Sequence, residues 1–519
     1  MRVPSGLLGP ALPTDRWRAA ATALGVGVLA GVLRFRGLGE PAAVVFDETY
    51  YAKDAWALLR TGVERAWSEG ANEQILAGDT SGLTDEAAFV SHPPLGKWVI
   101  AMGEAVSGLT PLGWRLGVAL AGTLAAVVMV YLARRVTRST LLGGLAGVLV
   151  ALDGLALTTS RIALLDGTLL LLVVAATALL VKDRDWARAR MADALRADPA
   201  EDPRPVVPLW RPWRLLMGVA LGAACATKWS GVPLLAVFGL LTVVWQAGAL
   251  ANAGARRPSA RALLVDAPVA ALTVLGAAAL TYLVSWSGWL RSDDGYLRGW
   301  AASNPPSSSL ASLLPDALRS LAHYHAVQYD LVSNLDSDHN WQSHPLGWLV
   351  LVRPVLFFRD RPAGGVDGCA LDAAEQCVRD VLAVGTPLTW WLGTAAVVLL
   401  LWRALARLDW RAWLVVGGVA ATWLPWFGYA DRALFQFYAV VTLPFLVLAV
   451  VVTVALGPDA WARPGPAHGR RPARWWTGLA VGGLLLATVV QAVYFWPIWV
   501  ADPLPLPEWQ LRMWLPRWS

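Results

Sequence analysis

The chain has 519 residues, of which 56% are hydrophobic and 15% charged, with a mean hydropathy of +0.49. Soluble domains carry about a quarter charged residues, and the apolar runs here are long enough for a hydrocarbon core, which takes roughly 20 residues to cross. A soluble protein is excluded and a polytopic, all-α membrane protein is expected.

The formal charge of +6 does not indicate nucleic acid, because the arginines gather in short loops. These are Arg134, Arg135 and Arg138; Arg256, Arg257 and Arg261; Arg403, Arg407 and Arg411; and Arg463, Arg470, Arg471 and Arg474. Placing them in the cytoplasm by the positive-inside rule gives about eleven spans. They run near 18–35, 113–133, 140–157, 162–181, 213–228, 231–248, 262–284, 382–402, 411–427, 434–456 and 475–498. The first apolar run, Ala19 to Leu33, has no small-residue cleavage site and reads as a retained helix. Residues 1–519 then form one membrane domain, with the N-terminus and a charged loop, 182–212, in the cytoplasm. Two long loops, 36–112 and 285–381, and the C-terminus lie outside. Loops of that length usually carry function.

The first long loop opens with "VVFDETYYAKDAWALL", Val44 to Leu59. Asp47 can cap a helix starting at Glu48. Phe46, Tyr50, Trp56 and Leu59 make an apolar stripe suited to lying flat at an interface. Two adjacent acids near membrane depth are costly and point to a purpose beyond a cap. In "HPPLGK", His92 to Lys97, Pro94 stands near the first position of another helix. A packed turn is the plain reading of His92, but Lys97 together with a helix N-terminus suits a phosphate.

Arg115, in "GWRLGVAL", lies inside an apolar helix and needs an anion. Arg161 and Asp166, in "TTSRIALLDGTLL", are five apart and do not pair well on a helix, so each is expected to serve a separate partner. Lys228, at the tip of "ATKWSG", either snorkels to the interface or faces the same outer site. Lysine is rare in this chain (Lys53, Lys97, Lys182, Lys228), and three of the four fall opposite the arginine loops. "SDDG", Ser292 to Gly295, reads as a solvated turn.

Cys225 reads as a small buried residue. Cys369 and Cys377 share the second outer loop, where oxidation is permitted, and are expected to form a disulfide. No metal-ligand spacing is present, so no metal or other cofactor is expected, with assistance by a divalent metal left open. No GxGxxG, Walker loop or HExxH appears. The sum is an outer cavity with paired acids and a ring of cations. It suits a lipid-anchored phosphate as leaving group and a hydroxyl as nucleophile.

These motifs resemble the protein O-mannosyltransferase family, most closely its actinobacterial members. "FDETYYAKDA", "SHPPLGKW", the arginine of "WRLGVAL", "SRIALLDGTLL", "ATKWSG" and "DRALFQFYAVVTLPF" (Asp431 to Phe445) occur in order from residue 46 to 445. The resemblance implies a GT-C glycosyltransferase fold and a polyprenyl-phosphate mannose donor. It also implies transfer to Ser or Thr of polypeptides, possible during translocation. Asp47 and Glu48 match the family's acidic pair and Arg115 its second-span arginine. The MIR domain of eukaryotic members does not fit in residues 285–381.

Asp47 is expected to be the catalytic base of an inverting transfer, kept ionised by its cap position, with Glu48 in support. Lys97, Arg115 and Lys228, with His92, Arg161, Asp166 and Arg432, are expected to bind donor phosphate or substrate. Another polyprenyl-phosphate-sugar transferase of the same fold, acting on a lipid or cell-wall glycan, is the nearest alternative. A transporter is a second, which predicts midplane charges and inverted repeats.

Overall fold

The computed structural model describes residues 7–197, 206–306, 308–334, 338–372, 375–457 and 474–519. Arg463, Arg470 and Arg471 of the last arginine loop lie outside the described residues.

Helices occupy all eleven expected positions, but not with uniform length. Among the described residues, eight are long and apolar enough to cross a membrane, and nine if one bent pair is a single span. That pair is Thr140–Ala151 and Gly154–Arg161, bent by 56°. The break sits at Asp153, whose Oδ1 accepts from Ala156 N (3.0 Å) to start the second helix. Its Oδ2 accepts from Thr386 N (3.0 Å) and Trp390 Nε1 (2.8 Å), so the bend is tied to a distant helix. Two expected spans are short: Pro212–Thr227 has 16 residues and Trp410–Trp423 has 14, continued by a 3-10 segment to Tyr429.

Three boundaries differ from the sequence reading. The helix Leu165–Ala197 runs 33 residues, well into the segment expected to be a loop from 182. Its charged end is ordered by contacts: Arg184 stacks on Trp410 (3.8 Å), and Asp185 accepts from Arg135 and Arg138 (2.9 Å each). The span expected from 382 starts at Pro387, because Cys377–Ala383 is a strand. The span expected over 262–284 is the composite helix Pro258–Ser285, which contains two π-helical segments, Ala262–Asp266 and Leu272–Gly276.

Pro111–Thr137, Leu165–Ala197 and Gln436–Leu456 form the buried centre, while Arg16–Phe35, Pro258–Ser285 and Trp475–Val500 turn mostly exposed apolar faces outward. Such a helix needs lipid around it. Close approach at the centre rests on small residues, as is usual between membrane helices. A Cβ on Gly117 would lie 2.0 Å from Val99 O, so Leu95–Ser107 and Pro111–Thr137 meet backbone to backbone.

The two ends of the bundle differ in chemistry. Arg115 and Arg134 lie on one helix, separated by about 30 Å at 1.5 Å per residue. Around Arg134, acids and arginines pair: Arg134 with Asp15, Arg403 and Arg411 with Asp409, Arg214 with Asp266, and Arg211 with Asp183.

At the Arg115 end, the second long loop adds the helix Asp316–Ser333 and an antiparallel hairpin, Val355–Asp360 with Cys377–Ala383. Leu504–Pro505 completes a three-stranded sheet beside Cys377. Asp380 fastens it, accepting from Arg359 (2.8 Å to each oxygen) and from Trp509 Nε1 (2.7 Å). Cys369 and Cys377 are joined as a disulfide, and Cys225 is buried.

Candidate active site

A cavity of about 970 Å³ opens at the Arg115 end. The charged side chains that line it come from four places in the sequence. The acidic-motif helix supplies Asp47, Tyr51 and Asp54, and the start of Leu95–Ser107 supplies His92 and Lys97. The turn after Pro212–Thr227 supplies Lys228, and the entry to Gln436–Leu456 supplies Arg432 and Tyr438.

The two acids diverge because of the residue before them. Phe46 has φ of 50°, the left-handed region that bulky residues avoid unless packing imposes it. Its ring is held by Phe357 (4.9 Å), Phe437 (5.7 Å) and Phe435 (6.0 Å). From this turn, Glu48 points into the protein and Asp47 to the cavity.

Glu48 is fully buried. Its Oε1 accepts from Arg115 Nε (2.7 Å) and Ala163 N (2.9 Å), and its Oε2 from Arg115 Nη2 (2.8 Å) and Val45 N (2.9 Å). Arg115 donates its remaining N–H groups to the carbonyls of Leu38 (3.2 Å), Pro41 (3.0 Å) and Ala43 (3.0 Å). All five guanidinium donors are thus spent on protein. Arg115 has the anion it needed, but it is Glu48, and the expected role in holding a phosphate is corrected. Arg161 is likewise structural. It donates to the carbonyls of Leu33, Arg34, Arg36 and Gly37 (2.8–3.0 Å), capping the C-terminus of Arg16–Phe35.

Asp47 does not cap its helix: its backbone is already helical (φ −71°, ψ −1°) and no side-chain cap bond forms. Burial, opposed by the charge of Lys228, pushes its pKa up to about 6. The expectation of a cap-stabilised, weakly basic carboxylate is therefore corrected in direction. A carboxylate with a raised pKa is the better proton acceptor near neutrality. The interfacial stripe is corrected too. Phe46 belongs to the aromatic cluster and Trp56 is buried under Arg60 (4.3 Å), so only Tyr50 of that stripe is strongly exposed.

The expected cations separate by what they already hold. Lys97 donates to Glu64 (2.7 Å) and contacts Asp54 (3.3 Å). Lys228 sits on Asp166 (3.0 and 3.1 Å) and over the Tyr438 ring (4.2 Å). Asp166 and Arg161 thus serve separate partners. Among the described residues, no acid pairs with Arg432, and its Nε is buried without a hydrogen-bond partner. His92 packs 6.1 Å from the Tyr51 ring, with its pKa pushed well below the usual imidazole value by burial and then by Lys228, Lys97 and Arg432. It is neutral at physiological pH.

Sequence reasoning missed Tyr51, Asp54 and Tyr438. The signal for the first two was present, since positions 47, 51 and 54 fall on one helical face. It also missed a hydrogen-bonded wall in which Trp229 Nε1 donates to Tyr282 Oη (3.0 Å). Tyr282 Oη lies 2.6 Å from His325 Nε2, and His325 Nδ1 is 2.6 Å from Leu321 O. Because Nδ1 must donate to that carbonyl, Nε2 of the neutral ring accepts from the tyrosine. Among the described residues, no group of three or more His, Cys, Asp or Glu is placed to share a metal ion.

The profile of "Dolichyl-phosphate-mannose-protein mannosyltransferase" matches residues 25–251, and that of "C-terminal four TMM region of protein-O-mannosyltransferase" matches residues 317–518. The chain is 36% identical to a polyprenol-phosphate-mannose–protein mannosyltransferase of Mycobacterium tuberculosis, covering 98% of this chain and 93% of that one. It is 31% identical to the protein of the same name from Corynebacterium glutamicum, covering 99% and 96%. Its fold is similar to that of the S. cerevisiae protein O-mannosyltransferase Pmt1-Pmt2 complex bound to the sugar donor. The TM-score is 0.71 at 15% identity, with 98% of this chain and 93% of the yeast chain covered.

Proposed function

The chain belongs to the dolichyl-phosphate-mannose-protein mannosyltransferase family, a family of GT-C membrane glycosyltransferases, and we propose that it transfers mannose from polyprenyl-phosphate mannose to Ser or Thr hydroxyls of polypeptides. The observation that carries this reading is the division of charge at one cavity. Among the described residues, Asp47 faces it without a cation bonded to it, Arg432 faces it without an acid, and Glu48 is locked away by Arg115.

The chemistry follows from that division. A phosphate monoester of a lipid is already a good leaving group, so the enzyme must chiefly activate the acceptor. Asp47 takes the hydroxyl proton as the acceptor oxygen attacks the anomeric carbon. Arg432, with Lys228 nearby, receives the charge that develops on the departing phosphate. A two-carboxylate retaining route needs a second free carboxylate about 5 Å away across the anomeric carbon. Glu48 accepts four hydrogen bonds and cannot supply it, and Asp166 is held by Lys228. Single displacement with inversion is the route these groups support, so a β-linked donor gives an α-linked product.

An outward-facing site is supported by the arginine loops, which gather at the opposite end of the bundle and by the positive-inside rule lie in the cytoplasm. The disulfide at the cavity end agrees, because such bonds persist on the oxidising side.

The test is incubation of membranes containing the chain with labelled polyprenyl-phosphate mannose and a Ser/Thr-rich peptide. Label in peptide hydroxyls, alkali-releasable and α-linked, is expected with the wild type and not with Asp47→Asn. Label confined to lipid or glycan would instead favour a transferase of the same fold with a different acceptor.

A further inference from the structure

Asp54 stands two turns beyond Asp47 on the same helix face, and both line the cavity with Tyr51 between them. Seven residues at the helical rise space the two positions about 10 Å apart along the helix, roughly one hexopyranose with a hydrogen bond at each end. Asp54 is also held in place. Lys97 contacts its Oδ2 at 3.3 Å and is itself fixed by Glu64 at 2.7 Å, both bonds lying under nearly complete cover. Among the described residues no donor sits on the other oxygen of Asp54, and its side chain is 16% exposed, toward the cavity.

The charge of this cluster sets a direction. Asp54 and Glu64 outnumber Lys97 by one carboxylate, and the charges of Lys53 and Glu73 beside them offset each other, so the cluster is negative, repels a phosphate and accepts hydroxyl hydrogens. Arg432 and Lys228 line the same cavity without belonging to that cluster, and they attract the phosphate. A donor made of a lipid phosphate and a neutral sugar can satisfy both only in one orientation. The phosphate lies toward Arg432, the anomeric carbon beside Asp47, and the far hydroxyls at Asp54.

We propose that Asp54, braced by Lys97 and Glu64, is the specificity-determining residue that binds hydroxyls of the donor sugar and selects an uncharged hexose over an anionic one. The proposal rests on the reading of the chain as a polyprenyl-phosphate-sugar transferase. It adds a function for a carboxylate that takes no part in the transfer itself. No bond is made or broken at Asp54; it accepts one or two hydrogen bonds from the sugar and thereby positions the ring over Asp47.

The experiment is equilibrium binding to the full chain in lipid nanodiscs, using polyprenyl-phosphate mannose and bare polyprenyl phosphate as the two probes. Asp54→Asn keeps the shape and removes the charge. It is expected to weaken binding of the mannose donor about 10- to 100-fold, the range for losing a hydrogen bond to a charged group. Binding of bare polyprenyl phosphate should not change, which also certifies that the variant is folded. In a panel of monodeoxy-mannose donors, at least one should bind the wild type more weakly yet lose nothing further in Asp54→Asn.

Unchanged donor binding in Asp54→Asn overturns the proposal, as does an equal loss for donor and bare phosphate. A defect that appears only in the KM for peptide also overturns it, by moving Asp54 to the acceptor side. Because binding is read without an acceptor, failure of the wild type to mannosylate peptide would reject the proposed function and leave this test standing.

Discussion

The knot around Glu48 and the cavity beside Asp47 are built from adjacent residues yet obey different rules. In the knot, one carboxylate and one guanidinium saturate each other, and backbone groups complete both. In the cavity, the acid and the cation remain apart, each without an ionic partner of its own among the described residues. A buried pair that is fully bonded fixes structure, while a charge kept uncommitted in a sheltered space is available for chemistry. Proximity in sequence says nothing about which of the two an acid becomes.

The sharpest test of that contrast changes one residue on each side of it. Asp47→Asn should lower kcat for mannosyl transfer by 10²–10⁴-fold, the usual contribution of a general base. Binding of polyprenyl-phosphate mannose should be nearly unchanged. A variant that retained near-normal transfer would end the assignment of Asp47 as base. Arg115→Ala should act on the other side of the comparison. Leaving Glu48 buried without its cation should cost about 3–5 kcal/mol, seen as a lower detergent melting temperature and less protein in membranes. A folded, stable Arg115→Ala with weakened donor affinity would instead return Arg115 to the site.

Arg432→Gln is expected to weaken donor binding on the order of 10-fold, as for loss of one charge-assisted contact, with melting unchanged. Equal loss of stability would place Arg432 with the knot. The pH profile is a smaller effect. Protonated Asp47 cannot accept a proton, and its pKa is raised to about 6. The kcat/KM should therefore climb about tenfold per unit as pH rises toward 6 and level off above it. Asp54, also raised to about 6 by burial, titrates in the same range. The limb should persist in Asp54→Asn and flatten in Asp47→Asn, and the reverse would exchange their roles. The smallest change should come from a bond outside both regions. Cys369→Ser with Cys377→Ser should cost about 2–3 kcal/mol locally, lowering the melting temperature while the donor Kd holds.

The parts of this molecule that were legible in the sequence are those set by local pattern. Hydropathy located eleven helical segments, and the motif after the first run located the acid at the cavity. Local pattern did not reveal that Ala197 ends a helix already counted as a loop from 182, because its continuation depends on Arg184 meeting Trp410. The same limit explains Arg115 and Arg161. A cation in an apolar helix certifies that some anion or carbonyl is near, but not which one. Glu48 lies 67 positions from Arg115 and Leu33 lies 128 from Arg161, so only the packing of helices identifies the partner. Lys97 was read as a phosphate ligand for the same reason, since Asp54 and Glu64 reach it from another helix and the loop after it. Asp54 itself could have been found by applying the helical period to Asp47.

The small sheet behind Phe46 adds a consequence of timing. Its hairpin supplies Phe357, which holds the turn that separates Asp47 from Glu48, and the hairpin is completed by Leu504–Pro505 and pinned through Trp509 to Asp380. Among the described residues, four helices are synthesised between the hairpin and that last strand. The ribosome must therefore have passed Leu504, and those helices must already be inserted, before the backing of the acidic turn can close. Such a late, long-range pairing is slow to form. A nascent chain halted between Tyr438 and Leu504 carries every residue that lines the cavity and lacks the strand that completes the backing of the acidic turn, so an unfinished copy stays inert beside the polypeptides emerging around it.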